Sequence, residues 1–266
     1  DIVHPLEILI PIAKYDLPSI VTMKTGLALY DTLAGKYGIE KHKICGVQYL
    51  EKKAPVLKTK KFSKVFSYWD AQTDDLSLVD RVARSGKMLG GAITENVYAT
   101  KIRRKEDKIL VSLKVEEQKQ KEVEASCVVN CLGPWSNKFL TSSDITPPHS
   151  AINNKGVHLV IKDMGLKCGL LLPNKKDNRI IFVLPWLGKT LIGTTEELFE
   201  GDPSKVRVEQ KDIDYLLGAC NAYFKKTLKE DDIEQSFAGL RWLVAEKDSS
   251  ISATTRESLI GENEIG

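Results

Sequence analysis

No stretch of this sequence approaches the roughly 18–20 consecutive apolar residues that a membrane-spanning helix needs, and no secretory signal pattern opens it. The five cysteines, Cys45, Cys127, Cys131, Cys168 and Cys220, are scattered, odd in number and never spaced C-x-x-C. That spacing argues against a zinc ribbon and a disulfide framework, and reduced thiols in a cytoplasmic setting are the expectation. No G-x-G-x-x-G follows an apolar run, so the chain shows no complete dinucleotide-binding βαβ half. Charge of one sign is also scarce. A formal balance of +3 over 266 residues is too small to argue for nucleic acid. Internal repeats, heptads and low-complexity linkers are missing too.

What is present is an ordinary globular composition, 42% hydrophobic and 28% charged. The length suits one large domain or two intertwined ones. The chain starts at Asp1, close to the apolar Ile8-Leu-Ile-Pro-Ile12, and stops soon after the strand-like Ser258-Leu-Ile260. An internal fragment of a longer protein is therefore expected.

Residues 155–195 organise the reading. Three apolar, β-branched runs, 157–161, 179–184 and 190–194, are separated by Gly and Pro breaks and predict successive strands of one sheet. Lys155, His158, Arg179, Thr194 and Thr195 sit within or beside them. A sheet with polar groups on one face is expected to serve as a substrate floor. A lone strand histidine is more often a satisfied core or surface residue, so position alone does not make His158 catalytic.

Along the chain, Leu17-Pro-Ser19 predicts a helix start, with Ile20, Met23, Leu27, Tyr30, Leu33 and Ala34 at helical spacing and Gly35 as the stop. The lysine-rich stretch 52–64 reads as a solvated loop, with attraction to anionic lipid as the other reading. A strand over 65–69 leads to Asp74, an N-cap for a helix closing near Gly86. Residues 92–105 and 109–115 alternate as a hairpin around Glu106-Asp-Lys108. The charged stretch 116–124 is expected as a turn and 125–129 as a short buried strand. That strand would enter the Gly133-Pro134 turn and a helix start, where backbone N–H groups could face a phosphate. Glu200–Pro203 predicts a turn, 209–225 a helix using Ile213, Leu216, Leu217, Cys220 and Phe224, and 233–237 a strand.

Several of these segments together resemble FAD-dependent glycerol-3-phosphate dehydrogenase. They are Tyr68-Trp-Asp-x-Gln-x-Asp-Asp75, Val128-Val-Asn-Cys-Leu-Gly-Pro-Trp135, Lys155-Gly-Val-His158, Phe182-Val-Leu-Pro-Trp186, Leu191-Ile-Gly-Thr-Thr195, Gly201-Asp-Pro203, Asp214-Tyr-Leu-Leu217 and Ala238-Gly-Leu-Arg241. They fall in that family's order, across nearly the whole chain. Thr255-Arg256-Glu257 is a shorter match at the expected distance. The family's N-terminal Gly-rich FAD loop, the Arg-bearing segment after it and a late Gly-Gly-Lys segment have no counterpart here. Arg241 is followed by Trp242 where the family usually has Pro.

The resemblance implies an α/β (α+β) fold of the D-amino-acid oxidase-like kind. A substrate cap with an antiparallel sheet (1–70 and 150–237) would interleave with an incomplete Rossmann-like FAD-binding domain (71–149 and 238–266). It implies oxidation of sn-glycerol 3-phosphate to dihydroxyacetone phosphate, with FAD in the full-length enzyme and none expected in a fragment lacking the Gly-rich loop. His158 and Arg241 are implied at the reacting hydroxyl. Arg241 and Arg256 are implied at the substrate, phosphate included, and Val97, Gly133 and Pro134 beside FAD. Trp186 and Thr195 would shape the sheet. The implied partners are a quinone and the inner-membrane surface; the open sheet edge left by the missing strands predicts in addition that the fragment dimerises. An oxidase delivering electrons to oxygen, and a non-catalytic cap or lipid-associating module, stand as alternatives.

Overall fold

The computed structural model describes residues 2–13, 17–115, 119–148, 150–244 and 260–262. They form two compact units, each drawn from separate segments: 1–81, 157–195 and 207–238 in the first, and 82–156, 196–206 and 239–266 in the second. The elements are, in chain order, β1 (Val3–Ala13), α1 (Leu17–Ala34), β2 (Lys43–Cys45), α2 (Val47–Lys53), β3 (Phe62–Thr73) and α3 (Asp75–Met88), then β4 (Val97–Lys105), β5 (Lys108–Val115), β6 (Lys119–Ala125) and α4 (Ser136–Ser142). They continue with β7 (Ala151–Lys162), β8 (Gly169–Pro173), β9 (Ile180–Trp186), β10 (Lys189–Gly193), β11 (Glu197–Leu198), α5 (Gln210–Asn221) and β12 (Ile233–Val244).

In the first unit the strands lie in the order β7-β10-β9-β8-β1-β3-β2, and β12 also pairs with β7. Along the order from β7 to β2, neighbours run antiparallel except β1 and β8, where Ile8 and Leu9 meet Gly169 and Leu170 in parallel. The three runs expected as strands of one sheet become β7, β9 and β10. Their period-two pattern explains the core. Val157, Leu159 and Ile161, Ile181 and Val183, and Ile192 share one buried cluster with Leu216, Leu217 and Cys220 of α5. Burying each such side chain contributes about 1.5–3 kcal/mol. Helix α5 starts on a capping box in which the Glu209 backbone N–H donates to Asp212 Oδ2 at 2.9 Å.

A smaller cluster forms where Ile20, Met23 and Leu27 of α1 pack beside Ile10 and Ile12 of β1 and Phe66 of β3. Leu33 is 78% exposed, so the helix buries a narrower stripe than its spacing predicts. Gly35 follows it in the left-handed region at φ +50°, as a stop should.

The lysine-rich stretch is no loose loop. Residues 47–53 are helical, Leu57 is fully buried, and Lys58 and Lys61 donate to the carbonyls of Asn221 and Ala222 at 3.0 Å each. The charge pattern concealed this because Ala54, Leu57 and Thr59 carry the burial while the lysine heads stay polar.

The second unit holds the antiparallel meander β4-β5-β6, turning through Glu106 at φ +55°. Ile102, Ile109 and Phe139 form its cluster. The stretch expected as a turn over 116–124 contains β6 from Lys119, while 116–118 lie outside the described residues. Of the strand expected over 125–129 only Ala125 is extended, as the last residue of β6, and Val129 is 79% exposed. β-propensity without a partner strand makes no ladder. Strand β11 pairs with the first part of β7, Glu197 opposite Lys155 and Leu198 opposite Asn154.

Candidate active site

Because Val157 and Leu159 turn toward the α5 side of the sheet, alternation turns His158 to the other face. Strand register then places Gly193 directly opposite His158 on β10 and Phe182 directly opposite Gly193 on β9. Phe237 of β12 completes the row, its ring stacked on the imidazole with centroids 5.1 Å apart and planes 18° from parallel. Phe182 is 39% and Phe237 46% exposed. An exposed aromatic sheet face carrying an imidazole is unusual for a surface that does nothing.

Gly193 is there for space. A Cβ at that position would fall 2.1 Å from His158 Cδ2 and 2.6 Å from Nε2, closer than real Cβ atoms come. The imidazole edge therefore lies against the bare backbone of β10.

A substrate floor requires the polar residues of 155–195 to share this face, and that expectation fails: Lys155 and Thr195 are buried instead. Lys155 lies at odd parity on β7, is 3% exposed and pairs with Glu197 at 3.3 Å. Thr195 is buried, and its Oγ1 accepts from the Val157 N–H at 3.1 Å. Thr194 Oγ donates to the Thr195 carbonyl at 3.1 Å, and Arg179 Nε lies 3.8 Å from Asp177. Trp186 ends β9, opposite Lys189. Alternation alone separates Lys155 from His158, and that much the sequence contained.

In the second unit Gly133 takes φ +52° and opens a 3-10 turn, Gly133–Trp135, ahead of α4. Asn130 pins the turn, its Oδ1 accepting from the Leu132 N–H at 3.1 Å and from Ser136 Oγ at 3.2 Å. Sequence reasoning passed over Asn130, although an Asx side chain two residues before an N–H is a recognisable turn signal. Val97 begins β4 opposite Val115, and Arg241 lies half-buried on β12. Arg256 and the polar segment around it lie outside the described residues.

Residues 11–262 match the model of the FAD dependent oxidoreductase family, and the chain belongs to that family. Among curated relatives, D-erythritol 1-phosphate dehydrogenase of Brucella abortus is 30% identical, with 100% of this chain and 53% of that protein covered. Aerobic glycerol-3-phosphate dehydrogenase of Escherichia coli is 29% identical, with 96% of this chain and 50% of that protein covered. The chain thus spans about half the length of these relatives. Among solved structures, glycerol-3-phosphate dehydrogenase from Bacillus halodurans complexed with FAD superposes with a TM-score of 0.77 at 25% identity, over 93% of this chain and 45% of that one. Mixed α/β architecture with a separate antiparallel sheet is that family's fold, as the sequence predicts.

Proposed function

We propose that the chain is part of a flavoenzyme that oxidises a polyol phosphate, sn-glycerol 3-phosphate, at its C2 hydroxyl to give dihydroxyacetone phosphate. The observation that carries this reading is the imidazole of His158 on an exposed aromatic sheet face. Family membership and the names of the relatives support it.

The Gly133 turn fits a flat cofactor. A Cβ on Gly133 would meet nothing within 4 Å, and Val129, Leu132 and Trp135 beside it expose apolar surface. Gly133, Pro134 and Val97 are the residues we assign to FAD. When bound, FAD supplies the acceptor for the hydrogen and electron pair that leave C2.

The remaining chemistry belongs to side chains. A ring nitrogen of His158 takes the C2 hydroxyl proton as the carbonyl forms, work suited to an imidazole near neutrality. The planar guanidinium of Arg241 binds the phosphate through paired hydrogen bonds, which a lysine cannot reproduce. Arg256 is assigned to the same substrate. Phe182 and Phe237 shed water from the face on which His158 works.

Residues 1–70 and 150–237 are assigned to a substrate cap, and 71–149 with 238–266 to the FAD domain. Electrons pass on to a quinone. None of the helices among the described residues is long and apolar enough to cross a membrane. A peripheral place at the inner membrane and a homodimeric state belong to the same proposal.

Mixing the FAD-loaded full-length enzyme anaerobically with sn-glycerol 3-phosphate should bleach the flavin and yield one dihydroxyacetone phosphate per flavin. D-erythritol 1-phosphate is the informative competitor, given the Brucella relative. Bleaching by erythritol 1-phosphate alone would move the substrate assignment. An unbleached flavin with both phosphates would defeat it.

A further inference from the structure

Two neighbours confine the His158 ring. Phe237 covers one face, and the bare α-carbon of Gly193 takes the Cδ2–Nε2 edge. A catalytic base must be held in one staggered side-chain rotamer to meet a hydroxyl. We propose that Phe237 is a positioning residue for His158, clamping the imidazole against Gly193 so that it meets the reacting hydroxyl in one orientation.

This inference rests on the reading of His158 as the proton acceptor. Three further features support it. Phe237 is 46% exposed, so its ring contributes little to the main core. It does not belong to the cluster formed by Val157, Leu159, Ile161 and α5. Glycine at 193 is demanded by the imidazole itself, since that ring supplies the three nearest atoms a Cβ would meet.

Misplacing a catalytic group by about 1 Å can cost on the order of a hundredfold in rate. Phe237→Leu and Phe237→Ala should therefore lower kcat by about ten- to a hundredfold, while KM stays within about threefold because substrate binding is left in place. Phe237→Tyr, which keeps the stacked ring, should restore kcat. Histidine side-chain NMR of the full chain, recorded with and without flavin, gives a readout independent of turnover. The ring-current shift on the His158 protons should vanish in Phe237→Leu and persist in Phe237→Tyr.

His158→Gln serves as the control. A normal kcat in that variant overturns both the base assignment and this inference. A lowered kcat in His158→Gln beside normal kcat in Phe237→Leu overturns the positioning role alone. If Phe237→Ala fails to fold, the near-isosteric Phe237→Leu carries the same comparison.

Discussion

Lys53 Nζ lies 2.6 Å from Glu7 Oε2, an ion pair formed between α2 and the centre of a sheet. Glu7 is 5% exposed, and its other oxygen accepts from Tyr49 OH at 2.8 Å and Ser67 Oγ at 2.6 Å. Burial pushes this carboxyl up, yet the hydrogen bonds from Lys53, Ser67 and Tyr49 prevail and hold it below its ordinary range.

Removing one partner of a buried pair strands the other. Lys53→Met should cost about 3 kcal/mol in denaturant unfolding, because the Glu7 carboxylate stays behind without its cation. A Glu7→Leu/Lys53→Met double variant should recover part of that loss. Equal destabilisation in single and double variants would contradict this.

Acid should reveal the same carboxylate. A folded-state value held low contributes stability above the unfolded carboxylate range, and that stability drains away as pH falls through the folded value. The wild type should therefore lose thermal stability more steeply on acidification than Glu7→Gln, with the two curves converging at the acid end. Parallel curves down to that end would refute the assignment.

Thiol chemistry should split the cysteines in two. Burial pushes the Cys168 and Cys220 thiols up to about 12, whereas Cys127 and Cys131 are exposed. Alkylation near neutral pH should modify Cys127 and Cys131 in the folded chain, and reach Cys168 and Cys220 after denaturation. Mass spectrometry of tryptic peptides reads this directly.

Asp74 caps α3, its Oδ2 accepting from the Ser77 N–H at 3.2 Å and from the Ser77 hydroxyl. Asp74→Ala should cost about 1 kcal/mol, and Asp74→Ser should restore most of it. An unchanged unfolding midpoint in Asp74→Ala would show that the cap contributes nothing.

Arg241→Lys probes the phosphate. A charge-assisted hydrogen bond contributes about 1.5–3 kcal/mol, so kcat/KM for glycerol 3-phosphate should fall roughly ten- to a hundredfold. Turnover of unphosphorylated glycerol should hardly change. If both substrates suffer alike, Arg241 serves the reacting centre or the fold.

Local signals were read most faithfully. The apolar, β-branched runs 157–161, 179–184 and 190–194 form strands, and the Asp74 cap and the Glu106 turn form where expected. Distance along the chain hid the rest. Nothing near His158 announces Phe237, which reaches it only because β12 pairs with β7. Leu57 reads as part of a lysine run until its backbone bridge to Phe224 is known. The strand expected over 125–129 failed for the same reason: propensity is local, while a ladder needs a partner.

The parallel pairing of Ile8 and Leu9 with Gly169 and Leu170 has a consequence for synthesis on the ribosome. At about 5–20 residues per second, paired β1 and β3 must wait roughly 5–20 seconds before β8 emerges. During that interval a strand pair bearing Leu9, Ile10 and Phe66 faces solvent with one edge open, an invitation to holdase chaperones and to neighbouring nascent chains alike. Yield of soluble protein should thus respond to translation speed and chaperone supply more than to the stability of the finished fold.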